Sequence, residues 1–379
     1  MSTRTRLGVA FLGGGTGGHI YPSLAVAEAI ERHEPNAIAV FLTGDRAADE
    51  HALAGQSVFG RPVPRVALGA RPPSIRPRPL LACVRAWGKA VRDSRQALRE
   101  LKKKSERVVA MSTGGYVSAP AAQAARVERV PLVLVSLDAR IGKANRFVAR
   151  RATERLVAQH EAPDGWRAIG PIVGSRAIAP TDPAKCRQQL GLDPQLPTLL
   201  VMGGSQGARS INEVLCTIAQ DHPGVLQGWQ VLHLAGDACA AATSAAALEH
   251  AGIPARVLER LDPIGPAWGA ASLALCRAGA GTVAEAHANA VPAIYLPYPF
   301  HRDQHQGANA APLVEAGGAI VLEDLVVPRQ NLRTIVPQLS TLTQSTDKRQ
   351  ALAAAIRDLP RKDGAQTCGR VLIDRATEP

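Results

Sequence analysis

Aromatic side chains make up only 3% of this 379-residue chain, so Ala, Val, Leu and Ile must fill its interior. That is the filling of a parallel sheet covered by helices. Paired cysteines are missing too. Cys83, Cys186, Cys216, Cys239, Cys276 and Cys368 stand far apart, with no Cys-x-x-Cys pair and no Cys/His ligand spacing. This excludes a disulfide framework and a zinc-type site, and points to isolated thiols in a reducing compartment. No apolar run approaches the roughly 20 residues of a spanning helix, so the expectation is a soluble or peripheral protein. The opening MSTRTRLGVAFLGGG has too short an apolar run for a secretory signal and reads as a first strand. No Gly-Lys-Ser/Thr follows any glycine cluster, which excludes a Walker loop.

What the chain does have is apolar material for two cores, at 46%, and a length suited to two domains. Its net charge of +12 is unevenly placed. Residues 61–107 hold fourteen arginines and lysines against Asp93, Glu100 and Glu106, a net of +11. Such a segment suits a polyanion, either a phospholipid surface or a nucleic acid. Trp87 is the one aromatic within it, so base-stacking platforms of the kind that bind single strands are not expected.

Strand and helix signals alternate, which predicts parallel, doubly wound sheets. Strands are expected at Leu7–Leu12, Ala37–Leu42, Arg107–Met111 and Pro131–Ser136, and helices at Ile20–Ile30, Leu80–Lys104, Ala121–Arg126 and Lys143–Arg151. The Pro/Gly-rich stretch 170–183 reads as a linker, after which the pattern restarts at Thr198–Met202. Later strands are expected at Gln230–Leu234, Ala255–Leu258, Leu273–Leu275, Ala293–Leu296 and Ala319–Leu322. The division is therefore into domains 1–170 and 171–346, with a basic helical tail over 347–370.

Glycine turns open several helices: Gly13–Gly18 before His19, Ser112–Tyr116, and Gly203–Arg209. Glycine lets backbone approach a ligand closely, and the helix start beyond it offers unpaired N–H groups and a positive dipole end, a combination suited to phosphate. Any one such turn is equally a tight connection; three together favour a shared ligand. The loop Cys276–Glu285 repeats the device and adds the Thr282 hydroxyl and the Glu285 carboxylate, which has lone pairs for both hydroxyls of a ribose. Glu285 also has the plain reading of a charge stabilising the helix dipole. The polar run Pro297–Asn309 carries Asp303, Gln304, His305, Gln306 and Asn309, residue types that read sugar hydroxyls or cap a helix.

In this order and spacing, GGGTGGHIYPSLAVAEAI, STGGYVSAP, GGSQGARSIN, RAGAGTVAE and HRDQHQGANA resemble the MurG family of UDP-N-acetylglucosamine transferases, over roughly residues 7–325. The resemblance implies a GT-B architecture: two Rossmann-like parallel-sheet domains facing across a cleft, the first for the acceptor and the second for the UDP-sugar, with a final helix that crosses back. It implies transfer of N-acetylglucosamine from UDP to the C4 hydroxyl of the muramic acid unit of an undecaprenyl-linked acceptor, with inversion. It implies no cofactor and no strict need for metal, at the cytoplasmic face of the plasma membrane.

The same resemblance makes His19 the general base or the residue that orients the acceptor hydroxyl. It assigns Thr16, Gly17, Gly18, Asp138, Ser205, Gln206, Leu261, Arg277, Thr282, Glu285, His305 and Gln306 to the UDP-sugar, with Leu261 at the uracil and Arg277 and Thr282 at the diphosphate. Gly114, Gly115, Tyr116 and Ser118 fall on the acceptor side. Two places depart from the family. Val135-Ser136-Leu137-Asp138 stands where His-Glu-Gln-Asn is usual, and Gly174 stands where the linker normally carries arginine, with Arg140 or Arg176 as the nearby substitutes. These departures leave open a related transferase acting on another lipid, such as a diacylglycerol; the charged segment leaves open a nucleotide- or nucleic-acid-binding protein without catalysis, although nucleic acid is not the expected partner. Within 61–107, Ile75, Leu80, Leu81, Val84 and Trp87 lie among the cations, a mixture that suits docking on an anionic membrane face.

Overall fold

The structure, a computed structural model, describes residues 5–15, 17–71, 77–204, 207–300 and 305–377. The chain divides into two compact units, one made of residues 1–174 with 362–379, the other of residues 175–361.

The first unit runs β1 (Thr5–Gly13), α1 (Gly17–Glu31), β2 (Ile38–Gly44), α2 (Ala47–Leu53), β3 (Ser57–Val58), β4 (Arg61–Pro62), β5 (Arg65–Leu68), α3 (Pro77–Lys104), β6 (Ser105–Gly114), α4 (Ser118–Val127), β7 (Leu132–Ser136), α5 (Lys143–Ala149), β8 (Glu154–Val157) and β9 (Arg167–Ala168). Its seven-stranded sheet is parallel throughout, in the order β5-β2-β1-β6-β7-β8-β9, and β3 and β4 form a small antiparallel pair. The central β1 is covered on both faces, which is why Leu7, Val9, Phe11 and Leu12 are all buried instead of alternating with polar residues. Phe11 stacks on Phe41 of β2 at 4.7 Å between ring centroids.

The second unit runs α6 (Pro183–Gln189), β10 (Thr198–Met202), α7 (Arg209–Asp221), β11 (Gln230–Leu234), α8 (Ala238–His250), β12 (Ala255–Leu258), α9 (Gly265–Ala270), β13 (Leu273–Cys276), α10 (Ala280–Asn289), β14 (Ala293–Tyr295), α11 (His305–Glu315), β15 (Ala319–Val321), α12 (Pro328–Gln344) and α13 (Thr346–Asp358). Its six-stranded parallel sheet has the order β12-β11-β10-β13-β14-β15. In both units the order reverses beside the first strand, so the loops leaving the carboxyl ends of β1 and β6, and of β10 and β13, lie next to each other at a topological switch point.

Two expectations change. β6 does not stop at Met111 but continues to Gly114, paired with β1 across a register shift between Leu12 and Gly13. The tail is two helices instead of one over 347–370: α13 ends before Pro360, which lacks the N–H to continue it, and α14 (Gly364–Thr377) begins afresh with Asp363 accepting from the Gln366 N–H. α13 belongs to the second unit and α14 to the first. No helix among the described residues is long and apolar enough to cross a membrane.

Candidate functional site

In the first unit, three loops meet at the switch point. The turn after β1 is anchored from below: the Gly15 N–H reaches both carboxylate oxygens of Asp49, at 2.7 and 2.8 Å, and Asp49 is fully buried. The Gly15 carbonyl faces Arg46 at 3.5 Å, and the same guanidinium lies 5.5 Å from the centre of the Tyr116 ring. On the other side Gly115 has φ +82, and a Cβ there would sit 2.8 Å from the Gly14 carbonyl oxygen, so only glycine lets the turn after β6 come this close. Gly17 and Gly18 open α1, with Gly17 buried and Gly18 exposed.

His19 sits in this junction, half-buried at the start of α1. Its Nδ1 lies 3.1 Å from the Thr113 carbonyl oxygen, and the Thr113 hydroxyl donates back to the His19 carbonyl at 3.1 Å. A carbonyl only accepts, so the proton of the neutral ring belongs on Nδ1, and Nε2 keeps its lone pair. Burial holds the imidazole below its ordinary value of 6.5, against the opposing pull of the Asp138 charge, the Thr113 bond and Asp49. Asp138, half-buried after β7, is therefore close enough to act on His19 electrostatically. Ser136 donates its hydroxyl to the Asp138 carbonyl at 3.3 Å and accepts from Asn145. Ser118, expected on the acceptor side, is wholly buried, and its hydroxyl bonds the carbonyls of Leu12 and Gly114: it ties β1 to β6 from within.

The second unit repeats the glycine turn after β10. Gly207 has φ +72, and a Cβ there would lie 2.6 Å from the Ala235 carbonyl oxygen. Behind it stands a buried ionic cluster. Arg277 Nη1 meets Asp324 Oδ2 at 2.7 Å, and Arg277 Nη2 donates to the Ser210 hydroxyl at 2.7 Å, which itself donates to Asp324 at 2.7 Å. Nη1 also reaches the Leu296 carbonyl at 2.8 Å. Burial alone would raise the Asp324 carboxyl; hydrogen bonds from Ser210, Asn331, the Val326 N–H and Arg277 outweigh it and hold the group below its usual value. Arg277 is only 7% exposed, so its guanidinium is occupied as a strut beneath the loops, not presented to a diphosphate as the motif suggests.

Thr282 and Glu285 lie one turn apart on α10, whose N-terminus follows Gly279. Thr282 is half-buried in the first turn. Glu285 Oε2 accepts from the Trp268 indole N–H at 2.9 Å. Burial pushes its carboxyl up to about 7, and the indole bond only partly offsets this. Leu261 is partly buried against the core of this unit, and the next residue, Asp262, pairs with Arg176 at 3.0 Å. Gln306 accepts the Tyr298 N–H at 2.8 Å, and buried Asn309 donates to the Ala278 carbonyl at 3.1 Å, tying α11 to the loop after β13. Thr16, Ser205, Gln206 and the stretch 301–304 lie outside the described residues, as do Ile75 and the side chains of His305, Leu80 and Leu81.

In the basic segment, Trp87 is half-buried against the core of the first unit, not fully presented as the docking reading expects. Its indole donates to Gln123 at 2.8 Å and its ring packs edge-on against Phe147. Val84 is exposed, at 59%. Arg95 and Arg99 share Glu128, Lys89 pairs with Asp93 and Lys103 with Glu100. Asp49, Asp324, Asn145 and Trp268 have no motif of their own. The one local signal was an acid in the first turn of a helix after β2, at Asp49.

Comparison with known proteins places this geometry. The glycosyltransferase family 28 N-terminal domain matches residues 9–157, and the C-terminal domain of the same family matches residues 198–368. A UDP-N-acetylglucosamine–N-acetylmuramyl-(pentapeptide) pyrophosphoryl-undecaprenol N-acetylglucosamine transferase of Streptomyces coelicolor is 34% identical over 342 residues, 88% of this chain and 89% of the relative. Its namesake in Saccharopolyspora erythraea is 36% identical over 90% of this chain and 91% of the relative. Among solved structures, Acinetobacter baumannii MurG superposes with a TM-score of 0.66 at 23% identity, covering 98% of this chain and 99% of the other. A UDP-glucose:anthocyanidin 3-O-glucosyltransferase in complex with UDP gives 0.66 at 12% identity, with both chains fully covered, which speaks for the fold alone. Two parallel-sheet units with glycine turns at each switch point, read together with these matches, make the chain a GT-B protein that belongs to glycosyltransferase family 28, in its MurG branch.

Proposed function

We propose that the chain transfers N-acetylglucosamine from its UDP conjugate to the C4 hydroxyl of the N-acetylmuramic acid unit of undecaprenyl-linked lipid I, forming lipid II. His19 carries this reading. With Nδ1 committed to Thr113, Nε2 takes the proton of the C4 hydroxyl while the oxygen attacks the anomeric carbon. The bond from that carbon to the diphosphate oxygen breaks from the opposite side, so the configuration inverts and a β-1,4 link results. The low affinity of His19 for protons keeps it neutral near pH 7, the form a base needs.

UDP departs carrying the electron pair. In this reading the second unit receives its charge: the N–H groups at the start of α10 and the turn before α7 face the diphosphate, Thr282 adds a hydroxyl, Glu285 accepts from the ribose and Leu261 borders the uracil. Gln306 and His305 read the sugar. The acceptor is membrane-bound, and the net charge of +11 over residues 61–107 suits an anionic lipid surface, at about 1 kcal/mol for each basic residue close to it.

The names of the relatives support lipid I as acceptor, whereas Asp138 and its three predecessors motivate a different lipid. Turnover with UDP-N-acetylglucosamine is measured against lipid I and against diacylglycerol in parallel. Product from lipid I is expected; product from the glycerolipid alone overturns the assignment.

A further inference from the structure

Glu285 is held by a residue that no glycine motif marks. Trp268 lies on the short helix α9 and is 1% exposed, locked in the same core cluster as Cys276, Val283, Ala286 and Tyr295. A ring so enclosed has one orientation, so its N–H is a fixed donor. That donor meets Glu285 Oε2 at 2.9 Å. This bond engages Oε2 from a fixed direction, and Oε1 is left as the oxygen with both lone pairs uncommitted by this contact.

We propose that Trp268 is a positioning residue for nucleotide recognition: its indole N–H orients the Glu285 carboxylate so that Oε1 accepts from a ribose hydroxyl, and so makes the protein select a ribonucleotide over its 2′-deoxy counterpart. The inference rests on Glu285 being the ribose ligand. The other titratable neighbours are Cys276 of β13 and Tyr295 of β14, both buried and both held neutral, their protons retained by burial. The Tyr295 hydroxyl has no hydrogen-bond partner among the described residues. Within this wall the indole is the group that favours the ionised carboxylate.

Binding of UDP and 2′-deoxy-UDP to the full chain is measured by calorimetry for the parent, Trp268→Phe and Glu285→Gln. The parent is expected to prefer UDP by about tenfold or more, the scale of a hydrogen bond to a charged group. Trp268→Phe is expected to lower that preference to about threefold or less, with its 2′-deoxy-UDP affinity changed far less than its UDP affinity; a merely structural role weakens both nucleotides equally. An unchanged preference in Trp268→Phe, with the preference lost in Glu285→Gln, overturns the positioning role and leaves the ribose ligand standing. An unchanged preference in Glu285→Gln removes the ribose reading itself. Should Trp268→Phe fail to fold, the indole N–H resonances of the parent decide. One of the four tryptophans is expected to titrate with a midpoint near 7 that disappears on adding UDP; no such resonance rejects the inference.

Discussion

The two units place a buried carboxylate behind their glycine turns and use it in opposite ways. In the first, Asp49 takes the Gly15 N–H directly, so the amide that an anion would seek is already spent on a negative charge. In the second, Asp324 faces away into Arg277, Ser210 and Asn331, and its charge is balanced by a guanidinium. A phosphate approaching the first turn meets an acid beneath it; one approaching the second meets a neutralised pair and a helix start. The same motif therefore has two settings: in the first unit it shapes a seat for His19, and in the second, under the proposed function, it leaves donors for a leaving diphosphate. Glycine content alone does not distinguish these; the partner of the carboxylate does.

This contrast can be broken experimentally. The largest effect is expected for Asp324→Ala, which leaves Arg277 buried without its counter-charge. A loss of about 3–5 kcal/mol is expected, seen as a melting temperature lower by roughly 10 °C in calorimetry; an unshifted transition means the cluster is not a structural strut. His19→Ala comes next, with turnover down about 100-fold or more and the Michaelis constant for the UDP-sugar nearly unchanged. A fully active variant removes His19 from the chemistry.

Asp49→Asn keeps the shape but replaces a charged acceptor by a neutral amide, for about 2 kcal/mol of stability. Turnover should fall with it while UDP affinity stays constant, because the proposed nucleotide ligands Thr282 and Glu285 belong to the other unit; weakened UDP binding would mean that the first turn also holds the nucleotide. The smallest effect is the pH dependence of UDP binding. In its proposed role Glu285 accepts from ribose more strongly when ionised, and its carboxyl is raised to about 7, so affinity is expected to drop, by up to about tenfold, between pH 8 and pH 6. The sign for the unliganded fold is the reverse. A raised carboxyl contributes stability below its ordinary 4.5 that is lost as pH rises through about 7. Glu285→Gln should then match the parent's melting point at pH 5 and exceed it at pH 8, where equal melting points argue against the burial cost.

Much of the frame was legible because it is local. Unbroken runs such as GVAFL, LLVM and LALC announce covered strands; the first two run straight into their glycine turns, and LALC reaches Gly279 after Arg277 and Ala278. The side chains that brace the glycine turns were not legible, because the pairs they form are far apart in the chain: Gly15 and Asp49 by 34 positions, Arg277 and Asp324 by 47. Arg277 illustrates the cost. An arginine beside a glycine loop reads as a phosphate ligand until its acid, beyond β15, is brought underneath it. Ser118 was misleading in the same manner, since a hydroxyl at a helix start looks available until β1 closes over it. Trp87 shows the limit of a charge pattern: the arginines around it describe a surface, but its neighbour is Phe147 on another helix.

The return of α14 to the first unit carries an implication for synthesis. Cys368, Val371 and Leu372 are buried there, Cys368 against Met111 of β6, and Arg375 pairs with Glu154 of β8. A chain growing from its N-terminus has assembled every strand of the first sheet by residue 168, yet one of that sheet's covering helices emerges only after the entire intervening unit. Until then, the apolar side chains that α14 covers stay wet. The unit begun first is thus completed only once α14 has been made.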